Sequence, residues 1–292
     1  MKIGVQVYLG GDSANPEMLK AVAQAAEGRG FHSLWLPEHA VLPPKIASRY
    51  PYSADGSFSF DVTALPFEPF TGLAYAAAVT TTIRLGTGVL VLPQRHPVYA
   101  AKQAADVDVL SKGRLDFGIG VGWLEEEFVA LGQPFRRRGA RAREWVQVMR
   151  RLWCDELAEF EGEFYRLPPV HQSPKPVQKP HPPLYFGGES DAALRRVAEF
   201  GRGWFAAGTS VEAMPARLAV LDGMLAAHGR SRADVEVFVG PQDGKADFEL
   251  VRRYREAGAE QVIIGLAGRN LDRLLRRLDD YAENVVEPAL RL

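Results

Sequence analysis

The sequence predicts an α/β protein folded as a (β/α)8 TIM barrel, in which eight parallel strands alternate with helices. Three observations lead to this prediction. Strand and helix signals alternate eight times along the 292 residues, which suits the length and unit count of such a barrel. The strand segments are almost continuous apolar runs, as expected for strands buried on both faces. Several end in glycines, at the edge of the barrel where ligands reach the backbone.

The first four strands are predicted from short apolar segments, each followed by a helical pattern. They cover residues 3–8, 33–36, 84–92 and 115–121. The first helix has a clear start, because Asn15 supplies an N-cap and Pro16 suits the first helical position. Trp145 and Leu152 belong to the apolar stripe of a longer helix after the fourth strand.

The second half of the chain repeats this alternation. Its strands are predicted at residues 184–186, 203–208, 235–239 and 261–266. The last helix carries Leu271, Leu274 and Leu278 at helical spacing. No shift in composition marks a boundary, so we predict a single barrel domain over residues 1–292.

Two connections are longer than barrel connections usually are, and we predict insertions there. Residues 40–68 follow the second strand, and residues 155–183 precede the fifth. Long connections in compact domains are usually functional lids or disordered segments. The aromatic residues of the first insertion favour an ordered lid, and residues 160–165 of the second indicate a small hairpin.

The composition excludes several classes of function. The net charge of −1 argues against binding to nucleic acid or to a membrane surface. No run is long and apolar enough to span a membrane, and residues 1–7 lack the apolar core of a signal peptide. Cys154 is the single cysteine, which fits a reducing compartment. We therefore expect a cytoplasmic protein that acts on a small-molecule substrate.

Three alternating glycines, Gly118, Gly120 and Gly122, lie at the carboxyl end of the fourth predicted strand. Their spacing differs from the Gly-x-Gly-x-x-Gly fingerprint of dinucleotide-binding folds, and they lie far from the first strand. Two interpretations stay open. The glycines allow either close packing of strand and helix or close approach of the backbone to a planar ligand.

A second glycine pair, in the sequence Gly187-Gly188-Glu189-Ser190, closes the fifth strand and opens a helix. Ser190 is a natural N-cap, and the two glycines leave the preceding amides accessible. Such a helix start binds phosphate through oriented N–H groups. A capped helix without a ligand is the alternative, and Glu189 beside an anion must bond a ligand hydroxyl or point away.

Glu38 and His39 end the second strand, where a histidine serves as acid or base near neutral pH. A structural histidine at a loop entrance is the alternative. Other potential metal ligands near strand ends are His96, Glu125, Glu126 and Glu189. Neither His-x-His on the first strand nor His-Glu-x-x-His occurs, so we predict no metal site.

The segment 135–143 is strongly basic, with arginine at five of its nine positions. A solvated helix start is the simpler interpretation. Contact with the anionic tail of a cofactor is the alternative. Because acids and bases balance over the whole chain, this segment does not predict nucleic-acid binding.

Together these segments resemble the bacterial luciferase-like monooxygenase superfamily, and most closely its branch of probable F420-dependent oxidoreductases. The matching stretches are residues 33–39, 48–52, 84–89, 92–97, 102–103, 110–114, 118–123, 127–128, 135, 138–139, 173–177, 187–190 and 203–204. The resemblance spans about residues 30–208. The last eighty or so residues follow the barrel pattern alone.

The resemblance implies a barrel, usually dimeric, with a flavin or deazaflavin at the carboxyl ends of the strands. It implies that Thr87, Gly88 and Val89 form a bulge behind the cofactor ring, with a cis peptide bond between Gly88 and Val89. Gly187 to Ser190 then hold the cofactor phosphate, and His39 is the active-site histidine. Glu38 departs from the aspartate usual before that histidine.

These implications predict an oxidoreductase that transfers a hydride between coenzyme F420 and a small organic substrate. A deazaflavin carries carbon in place of the flavin N5, so it carries hydride and does not readily form an oxygen adduct. An FMN-dependent monooxygenase is the first alternative. A cofactor-free barrel that binds ligands, or that pairs with a catalytic subunit, is the second.

Overall fold

The barrel is closed by parallel strands, as predicted. The computed structural model describes residues 1–53 and 55–292. Its strands are β1 (Lys2–Tyr8), β2 (Ser33–Leu36), β3 (Arg84–Thr87), β4 (Leu90–Val91), β5 (Leu115–Gly120), β6 (Ala158–Glu161), β7 (Arg166–Val170), β8 (Leu184–Gly187), β9 (Gly203–Ala207), β10 (Glu236–Gly240) and β11 (Gln261–Ala267). The sheet runs β3-β2-β1-β11-β10-β9-β8-β5-β4, and pairing of β3 with β5 closes it. The (β/α)8 prediction is confirmed.

Helices surround the strands. They are α1 (Pro16–Gly28), α2 (Pro69–Val79), α3 (Pro97–Leu110), α4 (Glu125–Ala130), α5 (Arg138–Cys154), α6 (Asp191–Phe200), α7 (Met214–Ala227), α8 (Phe248–Glu256), α9 (Leu271–Tyr281) and α10 (Glu287–Ala289). Asn15 caps α1 by accepting a hydrogen bond from the Met18 amide at 2.9 Å, as its sequence position predicts. Across the described residues, no helix has both the length and the apolar character needed to cross a membrane.

The third strand differs from the prediction, because the apolar run 84–92 forms two short strands instead of one. β3 ends at Thr87 and β4 begins at Leu90. The Gly88–Val89 peptide bond between them is cis, as the resemblance implies. Gln6 on β1 donates a 2.5 Å hydrogen bond to the Gly88 carbonyl, and the Thr87 hydroxyl donates to the Gly118 carbonyl at 2.6 Å. These bonds fix the bulge to β1 and to β5.

Aromatic rings fill the middle of the barrel. The buried cluster consists of Trp35, Tyr185, Phe205, Phe238 and Ile263. Tyr185 and Phe238 stack with ring centroids 4.3 Å apart, and Trp35 lies 5.3 Å from Phe205. Packed layers of this kind make a barrel interior solid. Ligands are therefore restricted to the two ends.

The second insertion runs along the side of the barrel. Its hairpin, β6 and β7, forms around the predicted residues 160–165. The Glu144 carboxylate of α5 accepts hydrogen bonds from the Glu163 amide at 2.7 Å and from the Phe164 amide at 2.9 Å. The return segment reaches the amino end of β5, where Gln178 donates to the Leu115 carbonyl at 2.8 Å.

Candidate active site

His39 lies three residues beyond β2, at the carboxyl end of the barrel. Its Nδ1 is 3.1 Å from the Glu127 carboxylate of α4. The Glu127 side chain is only 1% exposed and that of His39 is 15% exposed. A carboxylate can only accept, so Nδ1 carries the proton and a neutral imidazole keeps a lone pair on Nε2. Glu127 thus fixes both the tautomer and the direction of the histidine ring.

The Glu127 carboxylate is held by further donors. It accepts hydrogen bonds from the Ala40 amide at 2.7 Å, the Val41 amide at 3.3 Å and Gln94 Nε2 at 3.1 Å. Burial acts to raise the pKa of Glu127, but the bonds from His39, Gln94 and Ala40 outweigh it and lower the pKa. The group is therefore ionised at neutral pH.

The Glu38 carboxylate bonds to Arg95 and to the Val91 amide, and no hydrogen bond joins it to His39 among the described residues; its assignment as a catalytic residue stays a prediction. The carboxylate is buried and forms a salt bridge with Arg95. Arg95 also bridges to Glu68 at 2.7 Å. Successive side chains at the end of an extended strand point in opposite directions. Glu38 therefore fixes the start of the loop while His39 faces the site.

Aromatic side chains of the first insertion cover the histidine. The Phe58 ring lies 5.7 Å from the His39 ring, and the Trp123 ring lies 6.3 Å from it. Tyr50 packs on Trp123 with centroids 5.0 Å apart. We call Tyr50, Phe58 and Trp123 the aromatic cover. It gives the site an apolar roof that leaves the His39 side chain only 15% exposed.

Glu126 anchors the insertion to α4. Its carboxylate accepts from the Ala47 amide at 2.6 Å, the Ser48 amide at 3.1 Å and the Ser48 hydroxyl at 2.7 Å. Burial acts to raise the pKa of Glu126, but the bonds from Ser48 and Ala47 outweigh it and lower the pKa to about 2. The anchor is therefore charged at neutral pH.

Val89 forms the surface on which the resemblance places a cofactor ring. A Cβ at Gly120 would lie 2.6 Å from Val89 Cγ2, and one at Gly187 would lie 3.1 Å from Val89 Cγ1. Both glycines are therefore required by the packing of Val89 across the ends of β5 and β8. The side chain that results at this surface is apolar.

Two other predicted cofactor contacts have structural roles here. Thr87 is fully buried, and its hydroxyl is bonded to Gly118. A Cβ at Gly122 would lie 2.7 Å from Val91 Cγ1 and 2.8 Å from Phe128. The close-packing interpretation therefore accounts for Gly122, and Thr87 offers no side-chain atom to a ligand.

The start of α6 presents free backbone donors. Gly188 has φ +112°, a conformation that favours glycine. Ser190 caps α6 by accepting a 3.3 Å hydrogen bond from the Ala193 amide. Within the described chain, the amides of Gly188, Glu189 and Ser190 donate to no other residue. This end of α6 is thus suited to an anion.

Two buried side-chain atoms beside these amides also have no partner in the described structure. They are Oε1 of Glu189 and Nε of Arg217. The other Glu189 oxygen accepts from the Thr209 hydroxyl, and burial raises the pKa of Glu189. Arg217 is held 2.9 Å from Asp191 at the first turn of α6. Free amides, an arginine and an orphaned carboxyl oxygen match a ligand that carries both phosphate and hydroxyl groups.

The basic segment 135–143 is mostly occupied by structural contacts. Arg137 pairs with Glu163, and Arg143 pairs with Glu199. Arg138 is different, because its Nε donates to the Gly122 carbonyl at 2.9 Å and it has no salt bridge to a described carboxylate. Arg196 of α6 lies close to the start of α5, since its Nη1 is 3.4 Å from the position that a Cβ would take at Gly139. Burial and the neighbouring charge of Arg138 lower the pKa of Arg196. Arg138 and Arg196 therefore leave positive charge between α5 and α6.

No group of three or more His, Cys, Asp or Glu side chains that could hold a metal ion occurs among residues 1–53 and 55–292. His96, an isolated candidate from the sequence, lies 3.4 Å from the Tyr165 hydroxyl on the side of the barrel.

Known proteins resemble the chain over most of its length. A family model described as luciferase-like monooxygenase matches residues 1–242. An uncharacterized protein of Mycobacterium tuberculosis is 34% identical over 253 residues, which cover 86% of this chain and 88% of that protein. The FMNH2-dependent dimethylsulfone monooxygenase of Pseudomonas putida is 31% identical over 236 residues, covering 80% of this chain and 60% of that protein.

A solved structure supports the same fold. The coenzyme F420 dependent tetrahydromethanopterin reductase of Methanopyrus kandleri superposes with a TM-score of 0.76. The match covers 98% of both chains at 15% sequence identity. At that identity the likeness shows the fold alone, and it does not carry over the substrate.

Proposed function

The chain belongs to the luciferase-like monooxygenase family, and from that premise we propose that it is an oxidoreductase that transfers a hydride between coenzyme F420 and a small organic substrate. Members of this family are oxidoreductases and monooxygenases that use F420 or a flavin. The observation that carries the proposal is the pairing of His39 with the ionised, buried Glu127 beneath the aromatic cover.

His39 is the proton-transfer group in this proposal. Its Nε2 accepts a proton from a substrate hydroxyl when hydride leaves the substrate carbon, and it returns a proton in the reverse direction. Glu127 stabilises the imidazolium that forms, because it is already ionised and lies 3.1 Å from Nδ1. The aromatic cover keeps water away from the reacting atoms.

The residues of the site fit a phosphate-bearing tricyclic cofactor. Val89 would support the ring, the amides of Gly188 to Ser190 would hold the phosphate, and Glu189 Oε1 would bond a hydroxyl of the linker. A bound deazaflavin would supply a carbon that exchanges hydride, whereas reduced FMN would supply electrons to oxygen. The named relative from Pseudomonas putida favours an FMN-dependent monooxygenase as the second candidate.

Cofactor titration tests the proposal. The purified protein is titrated separately with F420 and with FMN, and bound cofactor is followed by fluorescence. We expect tighter binding of F420, followed by absorbance changes of F420 when the right substrate class is added without oxygen. Exclusive binding of FMN together with oxygen consumption would favour the second candidate. Binding of neither would favour the cofactor-free barrel.

We also propose that the protein is a homodimer that buries α2. This helix reads PFTGLAYAAAV and contains no charged residue, although Thr71, Tyr75 and Ala78 are exposed. A helix that is apolar all round is normally buried. Light scattering should give a dimer mass for the native chain and a monomer for Tyr75→Lys. The exposed Leu290 at the opposite end of the chain supplies the control variant Leu290→Lys.

A further inference from the structure

A cavity of about 500 Å³ opens at the amino end of the barrel. It lies at the opposite end from His39, beyond the aromatic layer. Lys2, Arg84 and Glu236 border it from the first residues of β1, β3 and β10. The stacked rings of Tyr185 and Phe238 form its floor. The cavity is therefore separate from the candidate active site.

The cavity has an excess of two positive charges. Its lining contains four cationic side chains and two carboxylates: Lys2, Arg84, Lys179 and Arg202, and Asp116 and Glu236.

Both carboxylates are already engaged. Asp116 is buried against Arg84, whose Nε donates to it at 2.8 Å. Glu236 accepts from the Tyr185 hydroxyl at 2.9 Å and pairs with Arg202 at 3.1 Å. Lys2 is 4.0 Å from Glu236, at the limit of an ion pair. The cationic excess therefore has no neutralising partner among the described residues of the cavity.

His32 adds a neutral donor to this lining. Its ring is half-buried and donates to no described residue. Lys2 of β1, Arg84 of β3 and Glu236 of β10 are the charged groups that face it. Burial, with Lys2 and Arg84, lowers the pKa of His32 to about 4. The imidazole is thus uncharged at neutral pH and keeps an N–H for a ligand.

We propose that this cavity binds a small multivalent oxyanion, a phosphate or a dicarboxylate, at a site distinct from the cofactor site. Low-dielectric walls that carry charge of one sign attract counter-ions strongly. Arginine at the rim favours planar or tetrahedral oxyanions over halide because its N–H groups form a fork. The bound anion would also neutralise the charge that keeps His32 unprotonated.

Calorimetric titration tests the site. Protein saturated with whichever cofactor it binds is titrated with inorganic phosphate, succinate or chloride at constant ionic strength. We expect one saturable site for phosphate or succinate, with at least tenfold weaker binding in Lys2→Gln/Arg202→Gln. The control Arg252→Gln removes a positive charge from exposed α8 and should bind as the native protein does. Arg217→Gln, beside α6, should likewise leave this binding unchanged.

The titrations with phosphate and with succinate identify the class of ligand. Preference for phosphate assigns a phosphate site, and preference for succinate assigns a carboxylate site. Equal effects of chloride, or equal affinity in the double variant and the native protein, would overturn the proposal. If the protein binds no cofactor, phosphate can also occupy the amides of α6, and the loss of binding in Lys2→Gln/Arg202→Gln then identifies the site in the cavity, which lies at the other end of the barrel.

Proton linkage provides a second readout. Sulfate does not titrate near pH 5, so its binding is measured there in two buffers of different ionisation enthalpy. Since the free His32 pKa is about 4, bound sulfate should raise it and cause proton uptake. His32→Gln should abolish the uptake while sulfate still binds. Uptake that persists in His32→Gln would remove His32 from the site.

Discussion

Replacing Glu127 with glutamine should disable the histidine while leaving the barrel folded. The carboxylate accepts four hydrogen bonds, from His39, Gln94 and the amides of Ala40 and Val41. Glutamine turns one acceptor oxygen into an NH2 donor. At least one buried donor then faces another donor, which costs about 1–3 kcal/mol for each group left unpaired. We expect a loss of roughly 2–4 kcal/mol in the free energy of unfolding.

The same substitution should change the tautomer of His39. The new NH2 group can donate to Nδ1, which forces the proton onto Nε2 and removes the acceptor from the substrate side. We expect turnover to fall by about 100-fold or more, with cofactor affinity kept within a factor of about three.

Steady-state kinetics and urea unfolding measure the two effects. Glu125→Gln is the matched control, because Glu125 is the exposed neighbour on α4 and its carboxylate bonds to no described residue. Glu125→Gln should alter neither the turnover nor the free energy of unfolding. Native turnover in a folded Glu127→Gln protein would show that Glu127 does not orient the catalytic base.

Four further predictions concern the same end of the barrel. His39→Asn should lower turnover about 100-fold and keep cofactor binding, as steady-state kinetics will show, whereas unchanged turnover would place proton transfer elsewhere. Ser190→Ala should lose the α6 cap, which lowers the free energy of unfolding by about 1 kcal/mol, and should weaken cofactor binding in a fluorescence titration. Unchanged affinity would argue against a contact between the Ser190 hydroxyl and the cofactor. Gly120→Ala should weaken cofactor binding at least tenfold, because the new methyl group would overlap the Val89 side chain. Gly223→Ala is the control, since a Cβ there has no neighbour within 4 Å. Equal effects of the two variants would exclude packing as the cause. Since the pKa of Glu126 is lowered to about 2, its anchor is complete above about pH 4.5 and is lost as pH falls toward 2. The hydrogen-exchange protection factors of the Ala47 and Ser48 amides, relative to the unfolded chain at the same pH, should fall in that window, and in Glu126→Gln at every pH.

The architecture was predictable because it depends on local patterns. Apart from the two-residue β4, the barrel strands are largely apolar runs of four to seven residues, and the caps at Asn15 and Ser190 are set by their own short segments. The pattern of residues 84–92 alone does not divide the third strand, and the bulge at Gly88–Val89 was expected only from the family resemblance. It depends on Gln6 and Gly118, which come from other strands.

The pairing at the active site was the part that the sequence did not reveal. Glu38 was assigned beside His39 because the two are adjacent in the chain, yet its carboxylate bonds to Arg95 and the Val91 amide. Glu127 is 88 residues away from His39, so no local spacing indicates the contact. The three consecutive acids at the start of α4 were the available signal, since their side chains are well placed to accept from nearby amides.

A crystal structure of the protein with F420 tests the account most directly. We expect the ring to lie against Val89, the phosphate to bind the amides of Gly188 to Ser190, and His39 Nε2 to face the open side of the ring. The Glu127 contact to Nδ1 should persist at about 3 Å, the usual hydrogen-bond distance. A phosphate bound away from α6, or a His39 ring turned from the cofactor, would contradict the assignment of the site.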